Sequence, residues 1–142
     1  MKKTAIMIIL MALTLQSFAP NGPILSEPPL PEPEITVELC LEPLIKAITF
    51  LESTHGLYTF NEAEGAVGWF QIRQIRVDDY NKRTKSTYKL IDFFDYDLSK
   101  EMFLYYAQMY DDWETIAKRW NGSGPMTEIY WDKVTAYLNS MP

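Results

Sequence analysis

Proline is concentrated in one short segment of this chain, and that segment limits where a folded domain can lie. The stretch "PNGPILSEPPLPEPE", Pro20 to Glu34, holds six of the nine prolines among the 142 residues. Because proline fixes φ and has no backbone N–H, such a stretch favours an extended spacer over helix or sheet. We therefore predict a proline-rich linker over residues 20–35 and one folded domain over residues 36–142. A partner protein with an aromatic groove is an alternative reason for this composition.

The segment before the linker has the pattern of a secretory signal peptide. Lys2 and Lys3 precede the apolar run "AIMIILMALTL", which is followed by the small and polar residues "QSFA". The run is too short to predict a membrane span. We predict a signal peptide over residues 1–19, although Pro20 is unfavourable directly after a cleavage site at Ala19. The sequence thus predicts export, either to the periplasm or out of the cell.

Charge and residue counts argue against several classes of function. A formal net charge of −6 and a pI near 4.8 are unlike the basic character of nucleic-acid-binding proteins. With one cysteine, Cys40, and one histidine, His55, no metal-ligand set of familiar spacing can be written. Neither a Gly-rich phosphate loop nor a nucleophilic triad is evident. We expect no metal, no cofactor and no nucleic-acid partner, and we expect Cys40 to be a small buried residue.

Hydrophobic periodicity in the domain is mainly helical. Leu39–Glu52 has apolar residues at helical spacing, whereas "GLYTFNEAEGAVGWF" is typical of a loop or small hairpin. The stretch "QIRQIRVDDY" carries Ile72 and Ile75 at helical spacing and predicts a short helix, followed by a loop with aromatic packing. Three more helices are predicted, with caps at Asp97, Asp112 and Thr127. The pattern predicts an α+β fold that is predominantly helical, with a small β or irregular insertion.

One glutamate interrupts the logic of the first helix. Leu41, Ile45 and Ile48 form an apolar stripe, and Glu52 continues it four residues after Ile48. At the end of a helix, both burial and the negative end of the helix dipole oppose ionisation and should raise the pKa of a carboxyl. A carboxylic acid that stays protonated near neutral pH suits a general acid. The alternative is a side chain that turns to solvent or pairs with a nearby cation.

Three short motifs in a fixed order point to a family. The first, "ESTHG", supplies Glu52, Ser53 and Gly56; the second, "GAVGWFQIR", supplies Gly68, Gln71 and Ile72; the third, "RWNGSGP", supplies Trp120, Asn121 and Gly122. This ordered set resembles the lytic transglycosylases and goose-type lysozymes that cleave peptidoglycan. The resemblance extends over about Ile45 to Leu138. Within it, the sequence is also similar to a small exported bacterial branch of that group.

The resemblance implies a lysozyme-like fold with a glycan strand bound in a cleft. It implies that Glu52 protonates the oxygen between N-acetylmuramic acid and N-acetylglucosamine and then acts as base, giving a 1,6-anhydro product without a second catalytic carboxylate. The strand would be bound by a monomer that needs no cofactor. Substrate contacts are expected from Ser53, Trp69, Gln71, Trp120, Asn121 and Tyr130.

Other outcomes remain open at this point. A hydrolytic muramidase of the same fold would need a carboxylate to hold water, and the candidates are Glu62, Glu64 and Asp78. A non-catalytic wall-binding protein, or an accessory component of a secretion apparatus that binds a cell-envelope partner through the proline-rich segment, is a further alternative. His55 is expected in a loop at the edge of the cleft. A basic cluster, either a solvated face or a site for carboxylates of the wall, comprises Arg73, Arg76, Lys82, Arg83, Lys85 and Lys89.

Overall fold

The computed structural model describes residues 37–142, with side chains from Cys40 onward. The predicted signal peptide and the predicted proline-rich linker lie outside the described residues. Five α-helices and one two-stranded sheet make up most of the described part, which bears out an α+β, predominantly helical class. The elements are α1 (Val37–Ser53), β1 (Phe60–Asn61), β2 (Ala66–Val67), α2 (Gln74–Thr84), a 3-10 helix (Leu90–Phe94), α3 (Tyr96–Ala107), α4 (Trp113–Asn121) and α5 (Met126–Ser140).

Helix α1 supplies a large part of the core and packs against α4 and α5. Its predicted stripe of Leu41, Ile45 and Ile48 is buried, as periodicity required. The core continues into the other elements through Phe70, Ile72, Val77, Phe93, Met102, Phe103, Ile116, Trp120 and Val134. Among residues 37–142, no helix is both long enough and apolar enough to cross a membrane.

The predicted hairpin is present, and one glycine fixes it to the rest of the domain. Strands β1 and β2 pair antiparallel, and Val67 forms a further bridge with Ile72. Gly68 follows with a φ of +76°, and a Cβ built there would lie 2.0 Å from the carbonyl oxygen of Phe93. Only glycine allows this approach, because both the positive φ and the contact exclude a side chain. The hairpin is thereby held against the 3-10 helix.

The second helix differs from its prediction. Ile72 and Ile75 do not share a helix face: Ile72 belongs to the bridge with Val67 and is buried, whereas Ile75 is 77% exposed. The helix begins only at Gln74, after an extended Arg73, and continues to Thr84. Backbone pairing with the hairpin therefore took precedence over the apparent helical spacing.

Two of the three predicted helix caps are wrong, and one is confirmed. Asp112 accepts a hydrogen bond from the Thr115 N–H at 2.7 Å and caps α4 as predicted. Asp95, not Asp97, caps α3, because the 3-10 helix ends at Phe94 and α3 already begins at Tyr96. Thr127 lies inside the first turn of α5, where its hydroxyl donates to the Gly124 carbonyl.

The expectation of a buried cysteine is also wrong. Cys40 lies in α1 and is exposed, because it falls outside the stripe formed by Leu41, Ile45 and Ile48. Its small size and apolar character did not decide its burial; its position on the helix did.

Candidate active site

Helix α1 ends abruptly one residue after Glu52. Thr54 and His55 have φ values of 53° and 55°, and Gly56 has a φ of 80°, so three successive residues turn the chain in the left-handed region. The Thr54 N–H still donates to the Phe50 carbonyl at 2.9 Å, which closes the last turn. Glu52 is thus held at the carboxyl end of the helix, where the negative end of the helix dipole disfavours a negative charge.

Glu52 lines a cleft of about 240 Å³ between the helices and the hairpin region. Glu64 lines it from the turn between β1 and β2, and Phe70, Gln71 and Arg73 line it from the segment that joins the hairpin to α2. The helical residues that line it are Ile75, Arg76 and Asp79 from α2, Tyr106 from α3, and Trp120 and Asn121 from α4. The cleft is rich in charged and amide groups, so it can take a polar ligand.

Burial controls the protonation of Glu52. Burial raises the pKa of the Glu52 carboxyl from 4.5 to about 7, whereas a hydrogen bond from Tyr130 lowers it. The Tyr130 hydroxyl donates to Glu52 Oε1 at 2.7 Å. The charge of Glu64 adds to the rise, and the charges of Arg73 and Arg76 oppose it. The outcome is a carboxyl that can give and take a proton near neutral pH.

Tyr130 is a permanent donor in this pair. Its burial and the adjacent Glu52 raise the pKa of the Tyr130 hydroxyl well above its ordinary value. The tyrosine therefore keeps its proton, and its hydrogen bond becomes stronger when Glu52 is ionised. Tyr130 does not itself line the cleft; it contacts the ligand space through Glu52.

Asp79 is a second carboxylate in the cleft, and it has the opposite environment. Its Oδ2 accepts hydrogen bonds from the Tyr106 hydroxyl and from Arg83 Nε, both at 2.7 Å. These two donors lower the pKa of Asp79. Asp79 is therefore ionised under conditions in which Glu52 still carries a proton.

The carboxylates that sequence reasoning offered for holding water lie in different places. Glu64 lines the cleft but is exposed, and its Oε2 lies 3.8 Å from Arg73 Nη1. Asp78 is exposed and accepts from Gln74 at 2.8 Å, outside the cleft lining. Glu62 is exposed and is not part of the lining either. Asp79, the residue after Asp78, lines the cleft instead.

Arg76 is a feature that the sequence reasoning placed only in a general basic cluster. Its guanidinium lies 4.2 Å from the Trp120 ring centroid and 5.2 Å from that of Tyr106. Its Nη2 donates to the Trp120 carbonyl at 2.9 Å, at the end of α4. Burial lowers the pKa of Arg76 below its ordinary value, yet a guanidinium remains a cation near neutral pH.

Three of the predicted substrate contacts line the cleft. Gln71 adopts a φ of 48°, and its Nε2 donates to the Tyr58 and Gly68 carbonyls at 3.2 and 3.0 Å. Its Oε1 is left available to a ligand. Asn121 is half-buried at the end of α4, and Trp120 is buried except for the edge that reaches the cleft.

Besides Tyr130, two predicted substrate contacts, Ser53 and Trp69, are not part of the cleft lining. The Ser53 side chain is buried, with its Oγ 2.9 Å from the Trp69 carbonyl and 3.1 Å from that of Thr49, and it accepts from the Gly56 N–H at 2.9 Å. The Trp69 ring packs edge-on against Tyr96 and fills the space beside Gly56. Both residues hold the turn after α1 in place, because all their polar and ring contacts are internal.

His55 also lies away from the cleft lining. Its Nε2 is 3.0 Å from the Tyr137 hydroxyl, and its Nδ1 is 3.2 Å from Thr49 Oγ1. In residues 40–142, no three His, Cys, Asp or Glu side chains are grouped so that they could hold a metal ion. A comparison of the chain with protein-family models, with curated proteins and with solved structures gives no match.

Proposed function

We propose that this protein is a lytic transglycosylase with a lysozyme-like fold. It cleaves the β-1,4 bond between N-acetylmuramic acid and N-acetylglucosamine in peptidoglycan, with Glu52 as general acid and base. The single observation that carries the proposal is the Glu52 carboxyl, which lines a polar cleft with a pKa of about 7 and a hydrogen bond from Tyr130. A helix-rich domain with a small hairpin beside the cleft supports the fold.

In the first step, protonated Glu52 gives its proton to the glycosidic oxygen. The bond between the anomeric carbon of the muramyl residue and this oxygen breaks, and the glucosamine unit leaves as an alcohol. The positive charge that develops on the sugar ring is stabilised by the newly formed Glu52 carboxylate. Tyr130 stabilises that carboxylate by the hydrogen bond to Oε1, which strengthens as the charge forms.

In the second step, Glu52 acts as base. It takes the proton of the muramyl 6-hydroxyl as this oxygen bonds to the anomeric carbon, which closes the 1,6-anhydro ring. Glu52 is protonated again, and no water is consumed. Gln71 Oε1 and the Asn121 amide line the same cleft and can bind N-acetyl and hydroxyl groups so that the strand is held in register.

Hydrolysis of the same bond is the second candidate, and Asp79 is the observation that favours it. Asp79 lines the cleft as an ionised carboxylate, and its Oδ1 accepts no hydrogen bond from residues 40–142. Such an oxygen can orient a water molecule toward the anomeric carbon. Glu64 is the alternative, although its neighbour Arg73 already attracts its charge.

The experiment is mass spectrometry of purified peptidoglycan after digestion with the purified protein. We expect anhydromuropeptides from the wild type and none from Glu52→Gln. Reducing-end muropeptides would instead establish hydrolysis, and Asp79→Asn should then abolish them whereas Asp78→Asn, one residue away and outside the cleft lining, should not. If Glu52→Gln cleaves like the wild type, the proposal is wrong.

The proposal includes export and a simple assembly. The signal-peptide pattern of residues 1–19 supports delivery to the periplasm or beyond the cell, where glycan strands are the partner. The protein acts as a monomer without cofactor, and the proline-rich segment is available to a cell-envelope protein. Fractionation of cells that produce the full chain tests the location: retention of the uncleaved chain in the cytoplasm would contradict it.

A further inference from the structure

We propose that Arg76 binds a carboxylate of the substrate, so that the cleft selects strands with anionic substituents over neutral ones. This inference rests on the proposed function, because it concerns the strand that Glu52 cleaves. It is based on the Arg76 side chain, on the Trp120 and Tyr106 rings beside it, and on the lack of a direct carboxylate partner within residues 40–142. It names a specificity determinant in the cleft and not a further proton donor.

Arg76 is a cation in the cleft that forms no direct ion pair within residues 40–142, although the charges of Asp79 and Glu52 act on it from a greater distance. Two other charged residues of the cleft each have a direct ion-pair partner within residues 40–142. Arg73 lies 3.8 Å from Glu64, and Asp79 lies 2.7 Å from Arg83. No carboxylate of the described part lies within 4 Å of Arg76. Taking a guanidinium partly out of water is unfavourable unless an anion or acceptors compensate.

The acceptors that Arg76 does have use only one of its nitrogens. Nη2 donates to the Trp120 carbonyl at 2.9 Å and to that of Arg119 at 3.4 Å, while Nε and Nη1 donate to no residue in the described part. Arg76 lines the cleft and also a neighbouring cavity beside Tyr106, so these two nitrogens can donate to a ligand. A residue that served only to hold the end of α4 would not need Nε and Nη1, which remain unused within residues 40–142.

The guanidinium is also held ready for a planar anion. Trp120 and Tyr106 lie beside its carbon at 4.2 and 5.2 Å, and the hydrogen bond to the Trp120 carbonyl fixes its direction. A fork that is already ordered loses little conformational freedom on binding. A carboxylate is an anion that the free Nε or Nη1 can bind through a charge-assisted hydrogen bond.

Two parts of the proposed substrate can supply this carboxylate. Peptide stems carry free carboxylates, and a muramyl residue whose stem has been removed has a free lactyl carboxylate. Both are chemically the same ligand for Arg76. Neutral strands, in which these carboxylates are converted to amides, have equal length and sugar content but offer no anion.

The test uses the full chain with Glu52→Gln, so that strands bind without being cleaved. Binding is measured for four defined strand preparations: with stems, with amidated stems, without stems, and without stems after amidation of the lactyl group. We expect about tenfold tighter binding to one of the two anionic strands than to its amidated counterpart, by the usual strength of a charge-assisted hydrogen bond. The pair that shows the difference identifies the source of the carboxylate.

Adding Arg76→Gln should reduce this ratio to about one, while binding to the amidated strand stays nearly unchanged. Arg119→Gln is the matched control, since the exposed Arg119 does not line the cleft; its ratio should stay within about twofold of the parent. Because each ratio compares two strands on one protein, partial unfolding does not alter it. If Arg76→Gln does not fold, Arg76→Lys, which keeps the charge without the fork, should show a reduced ratio.

Equal binding of anionic and amidated strands by the parent would overturn the inference and leave the proposed function standing. An undiminished ratio in Arg76→Gln would also overturn it. A loss of binding to every strand by an equal factor in Arg76→Gln would show that the residue only holds α4. If the parent binds none of the four strands, the proposed function itself fails, and the inference fails with it.

Discussion

Glu52 and Asp79 line the same cleft, yet their surroundings push their protonation in opposite directions. Glu52 lies at the carboxyl end of α1, is largely removed from solvent, and accepts one hydrogen bond from a neutral tyrosine. Asp79 lies within α2, nearer to solvent, and accepts from both a tyrosine and a charged arginine. The pKa of Glu52 is raised to about 7, whereas that of Asp79 is lowered.

The difference shows that the protonation of each carboxylate is set by its burial and its hydrogen-bond partners and not by its residue type. A tyrosine donates to each, so the tyrosine alone does not decide the outcome. At Glu52 burial outweighs the tyrosine and raises the pKa, whereas at Asp79 the hydrogen bonds from Tyr106 and then Arg83 outweigh burial and lower it. One group can therefore supply a proton at neutral pH, and the other provides a fixed negative charge.

The largest expected effect separates the two groups by rate. Glu52→Gln should lower the cleavage of peptidoglycan by about 10²–10⁴-fold, the usual contribution of a positioned acid. Asp79→Asn should lower it by about tenfold or less, because a transglycosylase needs no second carboxylate. Release of soluble muropeptides measures both, with Asp78→Asn as the control for Asp79. A loss in Asp79→Asn as large as that in Glu52→Gln would favour hydrolysis.

The next effect concerns stability against pH. Between pH 4.5 and about 7 the folded protein holds a proton on Glu52 that the unfolded chain has released. The free energy of unfolding should therefore decrease as the pH rises through this window. Glu52→Gln cannot ionise and keeps an acceptor for Tyr130, so it should be more stable than the wild type at pH 8 by roughly 1–3 kcal/mol, and about equally stable at pH 4. Denaturant unfolding at both pH values measures this; parallel pH profiles would contradict it.

A smaller effect is expected from the hydrogen bond of Tyr130. This bond lowers the pKa of Glu52, so Tyr130→Phe should raise that pKa and move the alkaline limb of the activity profile up by about one pH unit. Rates across pH 5–9 measure the shift. Tyr137→Phe is the control, because its hydroxyl is on the same helix but bonds to His55. An alkaline limb that stays in place would mean that another group sets it.

The smallest effect is the stability that Asp79 contributes. Since its folded pKa is lowered, its contribution is present above its ordinary pKa near 3.8 and is lost as the pH falls through the folded value. Asp79→Asn should cost about 1 kcal/mol or less at pH 7, as expected for a partly exposed pair, and nothing once the carboxylate is protonated. Urea unfolding at pH 7 and pH 2.5 measures the difference. An equal cost at both pH values would assign it to packing.

Sequence periodicity placed Glu52 on the apolar stripe of α1, because this position depends only on the register of one helix, and the motif resemblance then identified it as the candidate acid. Neither signal was enough for Asp79 or Arg76. The register of α2 is set by the bridge between Val67 and Ile72, which pairs residues that no helical pattern reveals. With the helix taken to begin after Arg73, Arg76 and Asp79 fall three residues apart on one face, and this spacing would have indicated both.

The motif residues Ser53 and Trp69 show a second limit. The family resemblance implied that both contact substrate, but Ser53 bonds to backbone at the left-handed turn after α1, and the Trp69 ring packs against Tyr96 and Gly56. Whether a hydroxyl contacts a ligand or a backbone carbonyl depends on such turns, which sequence alone specifies poorly. The hairpin, in contrast, could be predicted because glycine and short apolar pieces carry the signal locally.

The Glu52–Tyr130 pair joins residues that are 78 positions apart in the chain. During synthesis, α1 emerges long before α5, so a partly made chain carries the acid without its tyrosine. The contact forms only when α5 packs on α1, so the surroundings of Glu52 described above require the last helix of the described part. A chain that still lacks α5 would carry Glu52 without the hydrogen bond that lowers its pKa.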